Sequence, residues 1–284
     1  MSPPGRAVSP PGRVRYWLTT ILLRIAVRTY LRLRVEGRER LPAGASIICF
    51  NHQSWADPFI LVAALPARPD LMFFGPREAD LRVGRKNRLI ALSQRGVPFH
   101  PGKTNLLEVT RRVQAITDRG ARLAIAPEGR IHAGERVVLP LDEGVAFFAL
   151  RTGVPIVPVG ITGVSWLRFG GTVRVRIGEP IAVAGRPTRE AVGALTAETR
   201  RALLALVADG RDRPPPGPFG RWLTEVFQDW PEGSRPPVGA PPPGDLPQIG
   251  AQPVGAPRPG DLPQIGAQPV GAPPPGGDSN RRSY

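Results

Sequence analysis

Between residues 35 and 210 the chain alternates short apolar runs with longer helical segments, and that alternation leaves few folds open. The runs at 45–50, 71–74, 122–126, 154–161 and 172–177 are rich in Val, Ile, Leu and Phe and predict buried strands. The stretches 58–65, 81–92, 104–119, 141–151 and 188–209 predict helices. Together they predict an α/β fold, a single domain over 35–210 with a mixed central sheet covered by helices. Pro155 and Pro158 predict an edge position or a bulge for the run 154–161, because proline cannot donate to a ladder.

One turn in this alternation carries chemistry. Asn51-His52-Gln53-Ser54-Trp55-Ala56-Asp57-Pro58 links the strand 45–50 to the helix that follows. On one continuous helix His52 and Asp57 would diverge by about 140°. A turn lets the carboxylate come back to an imidazole nitrogen. A carboxylate that accepts one ring N–H fixes the tautomer and leaves the other nitrogen to take a proton from a hydroxyl. The same residues also suit a purely structural turn, with Asp57 as helix cap, Pro58 first in the helix and His52 bonded to backbone.

The formal charge is +15, and residues 211–284 contribute none of it, since seven arginines balance seven acids there. A domain this basic implies an anionic partner. Aromatic residues are too few for base stacking and no nucleic-acid module is present, so no nucleic acid is expected. Residues 13–34 predict an amphipathic helix suited to an anionic membrane surface. Leu18, Leu22, Ile25, Ala26 and Leu33 share one face, and Arg24, Arg28 and Arg32 line the other. The uncharged run Tyr16 to Leu23 falls far short of the roughly 20 residues of a membrane span. A core helix packed on its own domain is the alternative.

Residues 1–12 are Pro- and Gly-rich and predict disorder, as does the tail 211–284. From Pro237 the tail reads PVGAPPPGDLPQIGAQ, PVGAPRPGDLPQIGAQ and then PVGAPPPGG, a 16-residue repeat with a third copy begun. It suits a linker or a docking segment for a Pro-recognising partner. Before it, Phe219, Trp222, Leu223, Val226, Phe227 and Trp230 form an amphipathic run able to clip onto the domain or touch lipid. The lone Cys49 reads as a small core hydrophobe, which excludes a disulfide and a cysteine metal site and fits a reducing compartment.

A second motif, Ala126-Pro127-Glu128-Gly129-Arg130, follows the strand 122–126. Gly129 permits a tight turn, Glu128 offers a carboxylate to a hydroxyl or a base, and Arg130 offers a bidentate grip for phosphate. Alone it is a common turn. Paired with a His-x4-Asp turn, with Pro127 lying 70 residues after Asp57, it resembles the glycerolipid acyltransferases of the 1-acylglycerol-3-phosphate acyltransferase family. The resemblance covers roughly residues 35–185. Val154 to Ile161 is similar to the family's Val-Pro-Ile-Val-Pro-Val strand, and Gly178-Glu179-Pro180-Ile181 also has its look. Ala126 stands where the family has Phe, and Arg130 follows the Gly directly with the usual Thr dropped. In Gly96–Lys103, Pro101 occupies the position of the second block's arginine, so Lys103 or Arg95 would have to supply that charge. Asp142 and Glu143 stand where a lysine before Gly144 is usual.

The resemblance implies transfer of an acyl group from acyl-CoA or acyl-carrier protein, as co-substrate, to the hydroxyl of a lysophospholipid acceptor, with no cofactor and no metal. The acceptor it implies is 1-acylglycerol-3-phosphate, and the product phosphatidic acid, made in phospholipid biosynthesis by a peripheral protein on the cytoplasmic face of the membrane. His52 would be the general base and Asp57 would hold the imidazolium. Glu128, Gly129 and Arg130, with Lys103 and Arg95, would bind substrate, while His100 and His132 would be bystanders. Alternatives are acylation of another lysophospholipid or a lipid amino acid, or an inactive membrane-binding adaptor.

Overall fold

The computed structural model describes residues 13–74, 95–97 and 106–225. The expected disorder at 1–12, the helix 81–92, His100, Lys103 and the repeats lie outside the described residues, whereas residues 211–225 of the tail expected to be disordered are described and include a helix, Pro218–Glu225, fixed to the domain. Seven strands are β1 (Leu31–Glu36), β2 (Ser46–Phe50), β3 (Leu71–Phe74), β4 (Gly96–Val97), β5 (Arg122–Ile125), β6 (Ile156–Thr162) and β7 (Gly171–Ile177). The helices are α1 (Arg13–Tyr30), α2 (Asp57–Ala64), α3 (Leu106–Asp118), α4 (Gly144–Thr152), α5 (Arg189–Val207) and α6 (Pro218–Glu225).

The strands form one sheet in the order β1-β7-β6-β2-β5-β3-β4. Only the β6–β7 pair is antiparallel, which makes the sheet mixed, as expected. Side chains alternate across it with period two. Ile47 and Cys49 of β2, with Leu123 and Ile125 of β5, pack under α3, α4 and α5. Ile48 and Phe50, with Val157, Val159 and Ile161 of β6, pack under α2 and the inner sides of α1 and α6. Both faces are covered, so the central strands read as unbroken apolar runs.

Two expectations are corrected. The predicted helix 13–34 stops at Tyr30, and Leu31–Glu36 is instead strand β1, paired in parallel with β7. Its sequence, LRLRVE, alternates apolar and charged residues, and pairing rewards that period where a helix would not. The run 154–161 is neither edge nor bulge, because β6 lies between β7 and β2. Pro158 is tolerated there for a local reason. Its carbonyl accepts from Gly178 N at 2.8 Å, so its nitrogen also faces the β7 side, where the ladder ends at the Val159–Ile177 pair.

The structure also shows which face of α1 meets the domain. Arg24 donates to the Val62 carbonyl at 3.2 Å and the Leu65 carbonyl at 2.5 Å, and Arg28 donates to Ala63 O at 3.2 Å. These guanidinium groups satisfy carbonyls at the C-terminal end of α2 and complement its dipole. Two arginines of the stripe therefore dock α1 inward. Trp17, Leu18, Ile21, Leu22 and Ile25 face outward instead.

Candidate active site

In the parallel part of the sheet, Ser46, Arg122 and Leu71 lie side by side, so β2, β5 and β3 start at one edge and end at the other. At the ending edge β2 delivers Asn51 and His52, β5 delivers Pro127 and Glu128, and β6 leads into Gly163 and Ser165. Chain reversals cluster where parallel strands end, which is where α/β sheets collect ligand-binding groups.

His52 Nδ1 lies 2.9 Å from Asp57 Oδ2. That oxygen also accepts the backbone N–H groups of Gln53 at 2.8 Å and Ser54 at 2.9 Å. Asp57 is fully buried, whereas the His52 side chain is 23 % exposed. An oxygen that already accepts two backbone N–H groups is fixed as an acceptor, which assigns the shared proton to Nδ1. Nε2 then carries the lone pair, and it makes no hydrogen bond among the described residues. Asp57 is the first residue of α2 rather than its cap: the cap position falls on Ala56, and the carboxylate turns back to the preceding loop.

The Pro-Glu-Gly segment is bolted to this turn. Glu128 Oε1 accepts His52 N at 2.9 Å, and Oε2 accepts Leu139 N at 2.8 Å. Further along, His132 N donates to the His52 carbonyl at 3.1 Å, and Gln53 Nε2 donates to Gly134 O at 2.8 Å. Both Glu128 oxygens are thus engaged by backbone donors, which differs from the expectation that this carboxylate meets substrate. Gly129 has φ +66°, the left-handed region that favours glycine, and it is exposed. Arg130 is half-buried between the two attachments to His52 and makes no ion pair or hydrogen bond among the described residues. His132 is buried with Nε2 2.8 Å from Glu128 Oε2, a close approach without hydrogen-bond geometry.

Arg95 is a correction. It is 2 % exposed, and its guanidinium stacks 3.8 Å over the Tyr16 ring. It also donates to Thr20 Oγ1 and, at 3.4 Å each, to the carbonyls of Leu71 and Tyr16. Leu71 begins β3, so Arg95 sits at the sheet edge opposite His52. Three carbonyl and hydroxyl acceptors within reach of its side chain hold it against α1, which removes it from the substrate-binding set. Arg95→Met is accordingly expected to lower stability by about 2 kcal/mol, the cost of stranding buried acceptors, in urea titrations. Michaelis constants should stay within twofold; a tenfold rise in KM with unchanged stability would restore Arg95 to the site.

Several partners of the site carry little sequence signal. Asn51 inserts its side-chain amide into the sheet, donating to Ile161 O at 2.9 Å and accepting Ile161 N at 2.7 Å. Glu135 is buried and accepts Gly163 N at 2.5 Å, Ser165 N at 3.0 Å and Ser165 Oγ at 2.6 Å. Burial raises its pKa against the lowering effect of those bonds. Asn51 precedes the His in the motif and an amide imitates a peptide unit; Glu135 has no local signature at all. Cys49 is fully buried, and burial, with the nearby Glu128 charge, pushes its thiol well above the ordinary range, so it is no nucleophile. No cluster of three or more His, Cys, Asp or Glu able to hold a metal occurs among the described residues.

Asp142 closes the far side of the Pro-Glu-Gly turn. Its N–H donates to Pro127 O at 2.8 Å, and a Cβ at Gly129 would lie 3.5 Å from its Oδ2. Burial raises its pKa from 3.8 to about 6. The folded state therefore holds this proton to higher pH than the unfolded chain does, and stability falls as pH rises through that window. Asp142→Asn is expected to match wild type near pH 4 and to exceed it by about 1–2 kcal/mol at pH 7, measured as urea midpoints. Equal differences at both pH values would contradict the assignment.

Residues 32–162 match the sequence profile of the family described as Acyltransferase. A 1-acyl-sn-glycerol-3-phosphate acyltransferase of Cocos nucifera is 29 % identical over 150 residues, a match that covers 51 % of this chain and 46 % of that protein. The chain thus spans about half the length of this curated relative. The crystal structure of the 1-acyl-sn-glycerophosphate (LPA) acyltransferase PlsC from Thermotoga maritima superposes with a TM-score of 0.54 at 22 % identity. It covers 73 % of this chain and 87 % of that one, and shares the fold.

Proposed function

We propose, from the match of residues 32–162 to the Acyltransferase family, that this chain moves a fatty acyl group from a thioester to the free hydroxyl of a lysophospholipid. The observation that carries this reading is the His52–Asp57 pair, joined at 2.9 Å with Nε2 left to receive a proton. In the proposed step Nε2 takes the hydroxyl proton as the oxygen attacks the thioester carbonyl, and Asp57 stabilises the imidazolium. The C–S bond then breaks, and the departing thiolate recovers the proton from Nε2. One ester and one free thiol result. The acceptor oxygen attacks directly, so no protein nucleophile is needed, and the activated thioester needs neither metal nor redox cofactor.

The finer reading is that the acceptor is 1-acylglycerol-3-phosphate and the product phosphatidic acid, with acyl-CoA or acyl-carrier protein as donor. Arg130 supports it, as a cation without a partner among the described residues, in a loop fixed on both sides to His52. Asp142 beside Gly129 favours a second reading, a lysolipid with a neutral or cationic headgroup. A panel separates them: lysophosphatidic acid, lysophosphatidylglycerol and lysophosphatidylcholine, each offered with both donors. A preference of at least tenfold in kcat/KM for the phosphomonoester, lost in Arg130→Ala, supports the first; preference for lysophosphatidylcholine overturns it.

The setting proposed is the cytoplasmic face of a membrane, with the protein peripheral. Among the described residues no helix is long and apolar enough to cross a bilayer. The outward row on α1, from Trp17 to Ile25, suits insertion at headgroup depth. Residues 13–40 add eight arginines against two glutamates, a charge that suits an anionic leaflet.

A further inference from the structure

We propose that α6 is a second lipid-contacting element, seated beside the catalytic turn, with Phe219 and Trp222 entering the headgroup region of an anionic bilayer. This rests on the reading of the site as one that takes a membrane-borne acceptor. The inner side of α6 is fixed to the active-site edge. Trp55 Nε1 donates to Leu223 O at 3.3 Å, and Leu167 N donates to Thr224 Oγ1 at 2.9 Å. Gly220 lies so close to the loop after β6 that a Cβ would come within 2.7 Å of Leu167 O. Trp55 itself stands three residues from His52, so the helix is attached to the turn that holds the base.

The outer side is apolar and exposed among the described residues. Phe219 and Trp222 are 61 % and 56 % exposed, with ring centroids 5.6 Å apart. Phe169, 75 % exposed, stands at the same sheet edge against Tyr30 at the end of α1. Of ten large exposed hydrophobics among the described residues, nine lie on α1, α6 or at Phe169, and only Leu107 lies elsewhere. All nine belong to the layer that covers the α2 side of the sheet. Such segregation marks a contact surface rather than scattered exposure.

Charge decides what that surface meets. Exposed Arg221 lies between Phe219 and Trp222, anchored through Nε to Pro216 O at 3.1 Å. Its terminal nitrogens make no hydrogen bond among the described residues. Arg211 and Arg213 precede the helix and Arg168 adjoins Phe169; with Arg221 these four arginines outnumber the two acids of the same segments, Asp212 and Glu225. Aromatic rings interleaved with arginine match an anionic headgroup layer, where Trp is favoured.

The test is flotation of the full chain with vesicles of phosphatidylcholine and phosphatidylglycerol. Phe219→Ser/Trp222→Ser is expected to lower the vesicle partition coefficient about tenfold, or roughly 1.4 kcal/mol. Phe219→Leu/Trp222→Leu should retain most of the binding, and circular dichroism should show both variants folded. A serine variant that floats like wild type overturns the proposal. So does a wild-type dimer that the serine pair disperses while vesicle binding persists, since the face would then join two copies. Flotation needs no turnover: a wild type without acyltransferase activity would sink the catalytic reading and leave this result standing.

Discussion

His52→Ala should lower kcat about a thousandfold, the range in which positioned general bases contribute. The reason is local. Removing the ring removes the only group that Asp57 orients toward the reacting hydroxyl, while the carboxylate keeps its bonds from Gln53 N and Ser54 N. The backbone N–H of residue 52 still donates to Glu128, so the turn should persist. Melting temperature should therefore fall by only a few degrees while turnover is lost. Initial rates at saturating donor and acceptor, read beside a thermal melt, check both halves. A variant that is folded and keeps a tenth of wild-type turnover would remove His52 from the chemistry.

The second large effect is expected at Glu128, and its character matters as much as its size. Glu128→Gln replaces one carboxylate oxygen by an amide that donates, so either His52 N or Leu139 N meets a donor instead of an acceptor. A buried N–H left in that state costs about 1–3 kcal/mol, and the loss falls on the joint that holds the turn to the Pro-Glu-Gly loop. We expect kcat to drop about a hundredfold, since a small misplacement of reacting groups has that effect. KM should change little. A variant with normal stability and a raised KM would make Glu128 a substrate ligand, as its sequence context suggested.

How much of this was legible in the sequence depended on range. His52 and Asp57 meet because a turn of five residues brings them together, and a local spacing shows that. The central strands were legible because burial on both faces leaves continuous apolar runs. β1 was not separated from α1 because the apolar and arginine positions of 14–34 fit a helical stripe, and only pairing with β7, more than a hundred residues away, selects the extended form. The orientation of α1 was hidden for the same reason. Arg24 and Arg28 read as the polar stripe of a surface helix until the carbonyl ends of α2 are known to lie opposite them. Arg95 read as spare charge near a motif, but its position at the opposite sheet edge is set by the β3–β4 register. Asn51 and Ile161 stand 110 residues apart, a pairing no local pattern announces.

The most direct measurement of the central claim uses the full wild-type chain, vesicles carrying lysophosphatidic acid, and acyl-CoA or acyl-carrier protein with a labelled acyl chain. The account predicts labelled phosphatidic acid and free thiol in equal amounts, both abolished in His52→Ala. Free thiol formed with labelled fatty acid as the only other product, or no labelled glycerolipid from any lysolipid by a folded wild type, would contradict it.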